Sequence, residues 1–139
     1  MDSLGWGFGS IRNSGFSFTK RLDGLAKVLA NRDLASLGDA YINFAYSLAL
    51  SKKTGKPSGV KVKGSALAQA LRNAGLREYL PSRMTRHALA DSAEALAVYG
   101  WLKKVISLEE AVMIMSENQE LVDGLTRLLV TVRDRITFS

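Results

Sequence analysis

The stretch LASLGDAYINFAYSLALS, residues 34–51, constrains the fold most because it is almost entirely apolar or small. Asp39 is its only charge, and a carboxylate among side chains that expect burial is unfavourable unless something compensates it. The larger apolar residues recur at intervals of three and four, the period of an amphipathic α-helix: Leu34, Leu37, Tyr41, Phe44 and Leu48. We therefore predict a packed helix whose single acid has a specific role.

Helical periodicity continues through nearly the whole chain. It predicts a helix over about residues 18–30, a break near Asn31, a short helix from Ser65, and a longer one from Arg83 to Tyr99 or beyond. The capping-box spacings SLEE at 107–110 and SENQ at 116–119 predict two closing helices. Residues 52–64, KKTGKPSGVKVKG, instead predict a loop or short hairpin that forms a mobile basic arm. We expect an all-α fold of about six helices.

The composition fits one globular domain, since the chain has 139 residues, of which 47% are hydrophobic and 23% charged. We predict a single helical domain over 1–139, with an N-terminal strap at 1–17, a motif-bearing core at 33–102 and closing helices at 107–137. The strap contains a glycine-aromatic run, residues 5–9. Its aromatic rings are expected to pack on the helices, with nucleobase stacking as the alternative.

The absence of cysteine excludes disulfides, thiolate metal sites and thiol catalysis. The start of the chain has an acidic residue where a signal peptide has basic ones, and glycines interrupt the apolar residues that follow. No uninterrupted apolar run reaches the length of a membrane span. We therefore expect a cytoplasmic protein with no membrane partner.

Positive charge is concentrated in the middle of the chain. Residues 51–104 hold eleven Lys and Arg but only three acids, whereas the whole chain has a net charge of +6. This asymmetry indicates a polyanionic partner and favours nucleic acid over a membrane, with a merely solvated basic surface as the alternative. The candidate nucleic-acid-binding residues are Lys52, Lys53, Lys56, Lys61, Lys63, Arg72, Arg77, Arg83 and Arg86.

A second apolar stretch, ALADSAEALAVYGWL at 88–102, also holds isolated acids. Asp91 and Glu94 are its only charges, and their spacing of three puts them on one face of a helix. If that face meets Asp39, three carboxylates converge and suit Mg²⁺ or Mn²⁺, which can drive phosphodiester hydrolysis. Asn43 and His87, one turn from Asp39 and Asp91, could join the cluster. The alternative is that each acid caps, pairs or faces solvent separately, as the acids of SENQELVD at 116–123 are expected to do.

These stretches resemble the two motifs of the ribonuclease III catalytic domain. LASLGDA resembles its signature E-x-x-E-F-L-G-D-A, and ADSAEAL at 90–96 resembles its A-D-x-x-E-A-L. The connector LAQALRNAGLREYLPSR is also similar, and the closest resemblance is to short archaeal ribonuclease III-like proteins without a double-stranded RNA-binding domain. The resemblance implies a metal-dependent endoribonuclease for double-stranded or structured RNA, in which Asp39, Asp91 and Glu94 are the catalytic and metal-binding residues.

The sequence departs from the family pattern at one acidic position, because Ala35 stands four residues before Asp39 and Arg32 stands seven before it. The family dimerises through its signature helix, so the resemblance implies a homodimer with Gly38, Tyr41 and Phe44 at the interface. A tight contact inside one chain is the alternative explanation of Gly38. Two other functions stay open: a non-catalytic RNA-binding protein, for ribosome assembly or RNA stabilisation, and a helical dimer with no RNA role.

Overall fold

The computed structural model describes residues 16–138, and within them the fold is all-α, as predicted, with no strand. Short 3₁₀ helices lie at Ser17–Arg21 and Arg77–Tyr79. The six α-helices of this part of the chain are α1 (Leu25–Ala30), α2 (Arg32–Thr54), α3 (Gly64–Asn73), α4 (Arg86–Leu102), α5 (Leu108–Glu117) and α6 (Leu121–Arg135). None of them has the length and apolar character needed to span a membrane.

Helix α4 is the centre of the fold and packs against α1, α2, α3 and α6. Most of its residues from Leu89 to Gly100 are buried, and many of them are alanines, so that neighbouring helices can approach closely. At Gly100 a Cβ atom would lie 2.6 Å from a methyl group of Val132 on α6. The small side chains of α4 therefore determine where the other helices sit, and the most extensive of these contacts is with α2.

Side-chain caps start three of the helices. The Asn31 side chain accepts a hydrogen bond from Leu34 N at 2.8 Å, which confirms the predicted break between α1 and α2. The Thr85 hydroxyl accepts one from Ala88 N at 3.0 Å and starts α4. The Ser107 hydroxyl accepts one from Glu110 N at 3.0 Å, as the SLEE spacing predicts. Each of these bonds satisfies a backbone donor that the first helical turn leaves free.

The second predicted capping box was wrong. Ser116 lies inside α5, and its hydroxyl donates to the Met113 carbonyl at 3.1 Å instead of capping a new helix. Helix α6 starts later, after Glu120, without a side-chain cap. The single helix expected over 18–30 is also divided, because a 3₁₀ turn and α1 are separated by residues 22–24.

The large apolar residues that recur along α2 do not all lie on its buried face. Leu37 and Phe44 are 43% and 56% exposed, while Ala35, Ile42 and Ala45 are buried. Residues 52–54 also belong to α2, which ends where Gly55 adopts a left-handed conformation at φ 78°. The expected arm is therefore shorter than predicted, beginning after Gly55. The predicted strap at 1–17 lies almost entirely outside the described residues.

Candidate active site

The three acids predicted to converge line one pocket of about 410 Å³. Asp39 comes from α2, and Asp91 and Glu94 come from one face of α4. The pocket forms because α2 and α4 pack along their lengths, while α3 closes it with Gly64 and Leu67. The sequence motifs therefore mark two adjacent helix faces that enclose a common space.

Glu94 is the buried member of the cluster, with 7% of its surface exposed. Burial raises the pKa of the Glu94 carboxyl to about 8, and a hydrogen bond with the Asp39 side chain and the charges of Asp39 and Asp91 act in the same direction. The Lys61 ammonium opposes this rise. At neutral pH the pocket therefore holds Glu94 mostly in its protonated form.

Gly38 explains how α2 approaches the Glu94 turn of α4 so closely. A Cβ atom at this position would overlap the carbonyl oxygen of Glu94 and lie 3.0 Å from the Glu94 Cβ. Gly38 is buried within its own chain. The close contact at Gly38 is therefore intramolecular, which is the alternative to its place in the predicted dimer interface.

Polar neighbours lie beside the two outer acids. The Asn43 amide donates to Asp39 Oδ1 at 3.0 Å, and Lys61 Nζ lies 3.7 Å from Asp39 Oδ2. His87 Nε2 lies 3.9 Å from Asp91 Oδ2. Asn43 and His87 thus join the cluster at the positions that helical spacing suggested. Lys61 also joins the cluster, although it lies 22 residues after Asp39 and outside α2, so that helical spacing cannot predict their contact.

The pocket also shows where the family pattern is broken. Ala35 is buried and lines the pocket, and Arg32 lines it one turn earlier on α2. A carboxylate at 35 would have entered the same space. In the sequence Arg32 stands out only as a missing acid, although its position two turns before Asp39 places it near the same helix face.

The chemistry of the pocket fits a hard divalent cation, since carboxylate oxygens are the ligands that Mg²⁺ and Mn²⁺ prefer. Over residues 16–138, however, no three His, Cys, Asp or Glu side chains form a group arranged to hold a metal ion. Asp39 instead accepts a hydrogen bond from the Asn43 amide, and Lys61 pairs with Asp39. The donors are present in one pocket, but not in a ligand arrangement.

Three of the predicted RNA-binding residues bind their own chain. The Arg77 guanidinium donates to the carbonyls of Pro81 and Ser82 at 2.6 and 2.7 Å, and Lys53 Nζ donates to the Asn118 carbonyl at 2.8 Å. Lys61 pairs with Asp39. The others are solvent-exposed: Lys52, Lys56, Lys63, Arg72, Arg83 and Arg86.

One of these exposed residues lies next to the acidic pocket. Arg83 lines a second pocket of about 410 Å³ between α1 and α4, and that pocket shares Arg32 and Asp91 with the first one. The two pockets are therefore adjacent, and Arg83 shares the lining of the second one with Asp91.

The apolar residues of the predicted interface other than Gly38 lie towards the surface. Phe44 is exposed, and Tyr41 packs beside the exposed Trp101 with ring centroids 6.0 Å apart. The Tyr41 hydroxyl is buried without a hydrogen-bond partner among the described residues. Together with Leu37 they form an apolar surface on α2 and the end of α4.

The sequence was also compared with known proteins. A search of curated proteins found no match to the chain. A family model described as ribonuclease III matches residues 32–135, which include both acidic motifs and helices α2 to α6. The chain therefore belongs to the ribonuclease III family.

Proposed function

We propose that the protein is a metal-dependent endoribonuclease that hydrolyses phosphodiester bonds in double-stranded or structured RNA as a homodimer. The observation that carries this proposal is the pocket in which Asp39, Asp91 and Glu94 meet, in a chain of the ribonuclease III family. These carboxylates are the groups that would hold Mg²⁺ or Mn²⁺. A divalent cation bound there would activate water and stabilise the charge that develops on the phosphate.

The residues of the pocket have distinct parts in this proposal. Glu94 is mostly protonated at neutral pH and would have to lose its proton to serve as a metal ligand, so metal binding should be favoured as the pH rises towards 8. Asn43 donates to one oxygen of Asp39, so the other oxygen, which faces the Lys61 ammonium, is the one that would bind a cation. The lining of the pocket also includes the apolar side chains of Ala35 and Leu67.

The exposed basic residues supply the proposed RNA surface. Duplex RNA is recognised mainly by its shape and phosphates, which suits lysine and arginine side chains. Arg83 is the best placed of them, because its pocket adjoins the acids. Arg77 is removed from this surface because its guanidinium already binds backbone carbonyls.

The proposed dimer is supported by the apolar surface of Leu37, Tyr41, Phe44 and Trp101. Large apolar side chains grouped at the surface often mark a protein interface. A second copy bound there would cover Phe44 and bring two acidic pockets into one particle. Each subunit would then cut one RNA strand.

A non-catalytic RNA-binding protein is the second candidate. It is favoured by the alanine at position 35 and by the absence, among residues 16–138, of three side chains arranged as metal ligands. In this case the fold and the basic surface would be retained for RNA binding alone.

One incubation separates the two functions. The purified full chain is mixed with long duplex RNA in the presence of Mg²⁺, Mn²⁺ or a chelator, and the products are separated on a denaturing gel. The nuclease proposal predicts cleavage that requires the cation and stops with chelator. RNA that is bound, as judged by gel shift, but stays intact with both cations would support the non-catalytic function.

A further inference from the structure

The segment after Gly55 is attached to α2 by a series of three polar side chains. Asn43, Ser47 and Ser51 follow one another at intervals of four on α2. They accept backbone N–H groups of alternate residues: Val62 N to Asn43 at 2.7 Å, Val60 N to Ser47 at 2.9 Å, and Ser58 N to Ser51 at 2.9 Å. We call these three side chains the α2 ladder.

The spacing of the α2 ladder matches an extended chain. Four residues of a helix rise about 6 Å, and two residues of an extended segment rise about 6.6 Å. Successive ladder side chains can therefore bind every second residue of a segment that runs antiparallel to α2. Val62, at one end, is buried and anchors the segment further. The predicted mobile arm is thus held along the helix over residues 58–62.

The α2 ladder determines where Lys61 lies. Both of its neighbours, Val60 and Val62, are bound to α2. Asn43 contacts the segment through its oxygen and Asp39 through its amide. Lys61 Nζ reaches to 3.7 Å from Asp39 Oδ2, although 76% of its side chain is exposed. The ammonium therefore sits at the solvent side of the acidic pocket, where it can leave without disturbing the core.

We propose that Lys61 is the resident cation of the acidic pocket, a positioning residue whose ammonium neutralises Asp39 until a divalent cation displaces it. The inference rests on the proposed function, because the displacing cation is the one that hydrolysis requires. Two further observations support it. The buried wall carries Ala35 in place of an acid, and Arg32 adds a second positive group to the lining. The pocket thus balances its acids with cations of its own.

The test is the affinity of the full chain for Mg²⁺ alone, measured by isothermal titration calorimetry. Lys61→Met keeps the length of the side chain but removes its charge, so Mg²⁺ should bind about fivefold more tightly, which is the upper range for an exposed ion pair. Lys63→Met is the matched control because it removes the same charge from the same segment, and its affinity should stay at the wild-type value. Lys61→Arg should also stay close to wild type.

A variant of the α2 ladder tests the positioning itself. Ser47→Ala removes the bonds to Val60 without touching any acid or Lys61, so it should tighten Mg²⁺ binding less than Lys61→Met does. Unchanged affinity in Ser47→Ala would show that the ladder does not position Lys61 and would overturn that part of the inference. If Ser47→Ala merely damaged the structure, Mg²⁺ binding would weaken, whereas the proposal predicts tighter Mg²⁺ binding in this variant.

Each other outcome is decisive. The inference about Lys61 is overturned if Lys61→Met binds Mg²⁺ no more tightly than wild type, or if Lys63→Met tightens Mg²⁺ binding equally. The proposed nuclease still stands in that case, provided that wild type binds Mg²⁺ and cleaves RNA. If only Lys61→Met binds Mg²⁺, Lys61 is the resident cation and the metal-dependent function of the wild type fails. If neither protein binds Mg²⁺, both proposals are overturned.

Discussion

Replacing Glu94 with glutamine should change how the stability of the metal-free protein depends on pH. The pKa of the Glu94 carboxyl is about 8 in the folded protein, above its ordinary value of 4.5. The folded state therefore binds this proton more tightly than the unfolded chain does. The stabilisation is complete below the ordinary pKa and is lost as the pH rises through the folded pKa. Wild-type protein in chelator should thus become less stable from weakly acid to weakly alkaline pH.

The size of the effect follows from the two pKa values. Each unit of difference corresponds to about 1.4 kcal/mol, so the loss between about pH 5.5 and about pH 9 amounts to about 3 kcal/mol. Glu94→Gln cannot ionise and should lack this part of the pH dependence. Urea unfolding of wild type and Glu94→Gln at the two pH values measures this loss of stability. Subtracting the pH dependence of Glu94→Gln from that of wild type removes the contribution of the other titrating groups.

Glu117→Gln is the control, because Glu117 is solvent-exposed at the end of α5. It should retain the wild-type dependence on pH. If Glu94→Gln and wild type lose the same free energy of unfolding over this range, Glu94 ionises as an ordinary surface acid. The account of a buried carboxyl beside two other acids would then be refuted.

Three further substitutions test the packing, a helix cap and the proposed dimer. Gly38→Ala should lower the free energy of unfolding by about 3 kcal/mol or prevent folding, because its Cβ would overlap the α4 backbone. The control Gly59→Ala, whose Cβ meets nothing within 4 Å, should change the free energy of unfolding by less than about 1 kcal/mol. Equal urea midpoints for the two variants would contradict the close packing of Gly38. Ser107→Ala should cost about 1 kcal/mol in thermal melts by removing a cap, and a larger loss in Ser116→Ala would reverse the assignment of the two serines. Phe44→Glu should convert the dimer to folded monomer in light scattering, and a wild type that is already monomeric at micromolar concentration would exclude the dimer.

The general fold and the acids could be predicted because they depend on local patterns. Helical spacing is visible within a few turns, and the capping residues Asn31 and Ser107 act on backbone groups three residues away. Asp39, Asp91 and Glu94 stood out because apolar neighbours surround them in the sequence. The family motifs supplied the pairing of the two helices that periodicity alone leaves open.

Features that depend on tertiary contacts could not be predicted in the same way. A glycine in a helix indicates close packing, but only the structure shows that the partner of Gly38 is α4 of the same chain. The lysine-rich segment has the composition of a mobile arm, yet the α2 ladder holds part of it to the helix. The apolar stripe through Leu37 and Phe44 has the spacing of a buried face, whereas the buried face of α2 beside it is formed by Leu34, Ile42 and small residues, three of them alanines.

The most direct test of the proposed nuclease compares RNA binding and cleavage in the same samples for wild type and Asp91→Asn. Asp91 lies in the pocket with 37% of its side chain exposed, so replacing its carboxylate with the amide of asparagine should leave the fold and the basic surface intact. With end-labelled duplex RNA and Mg²⁺, the account predicts equal binding but a cleavage rate in Asp91→Asn that falls to the level seen with chelator. Cleavage by Asp91→Asn at the wild-type rate would contradict the assignment of the acidic pocket as the active site.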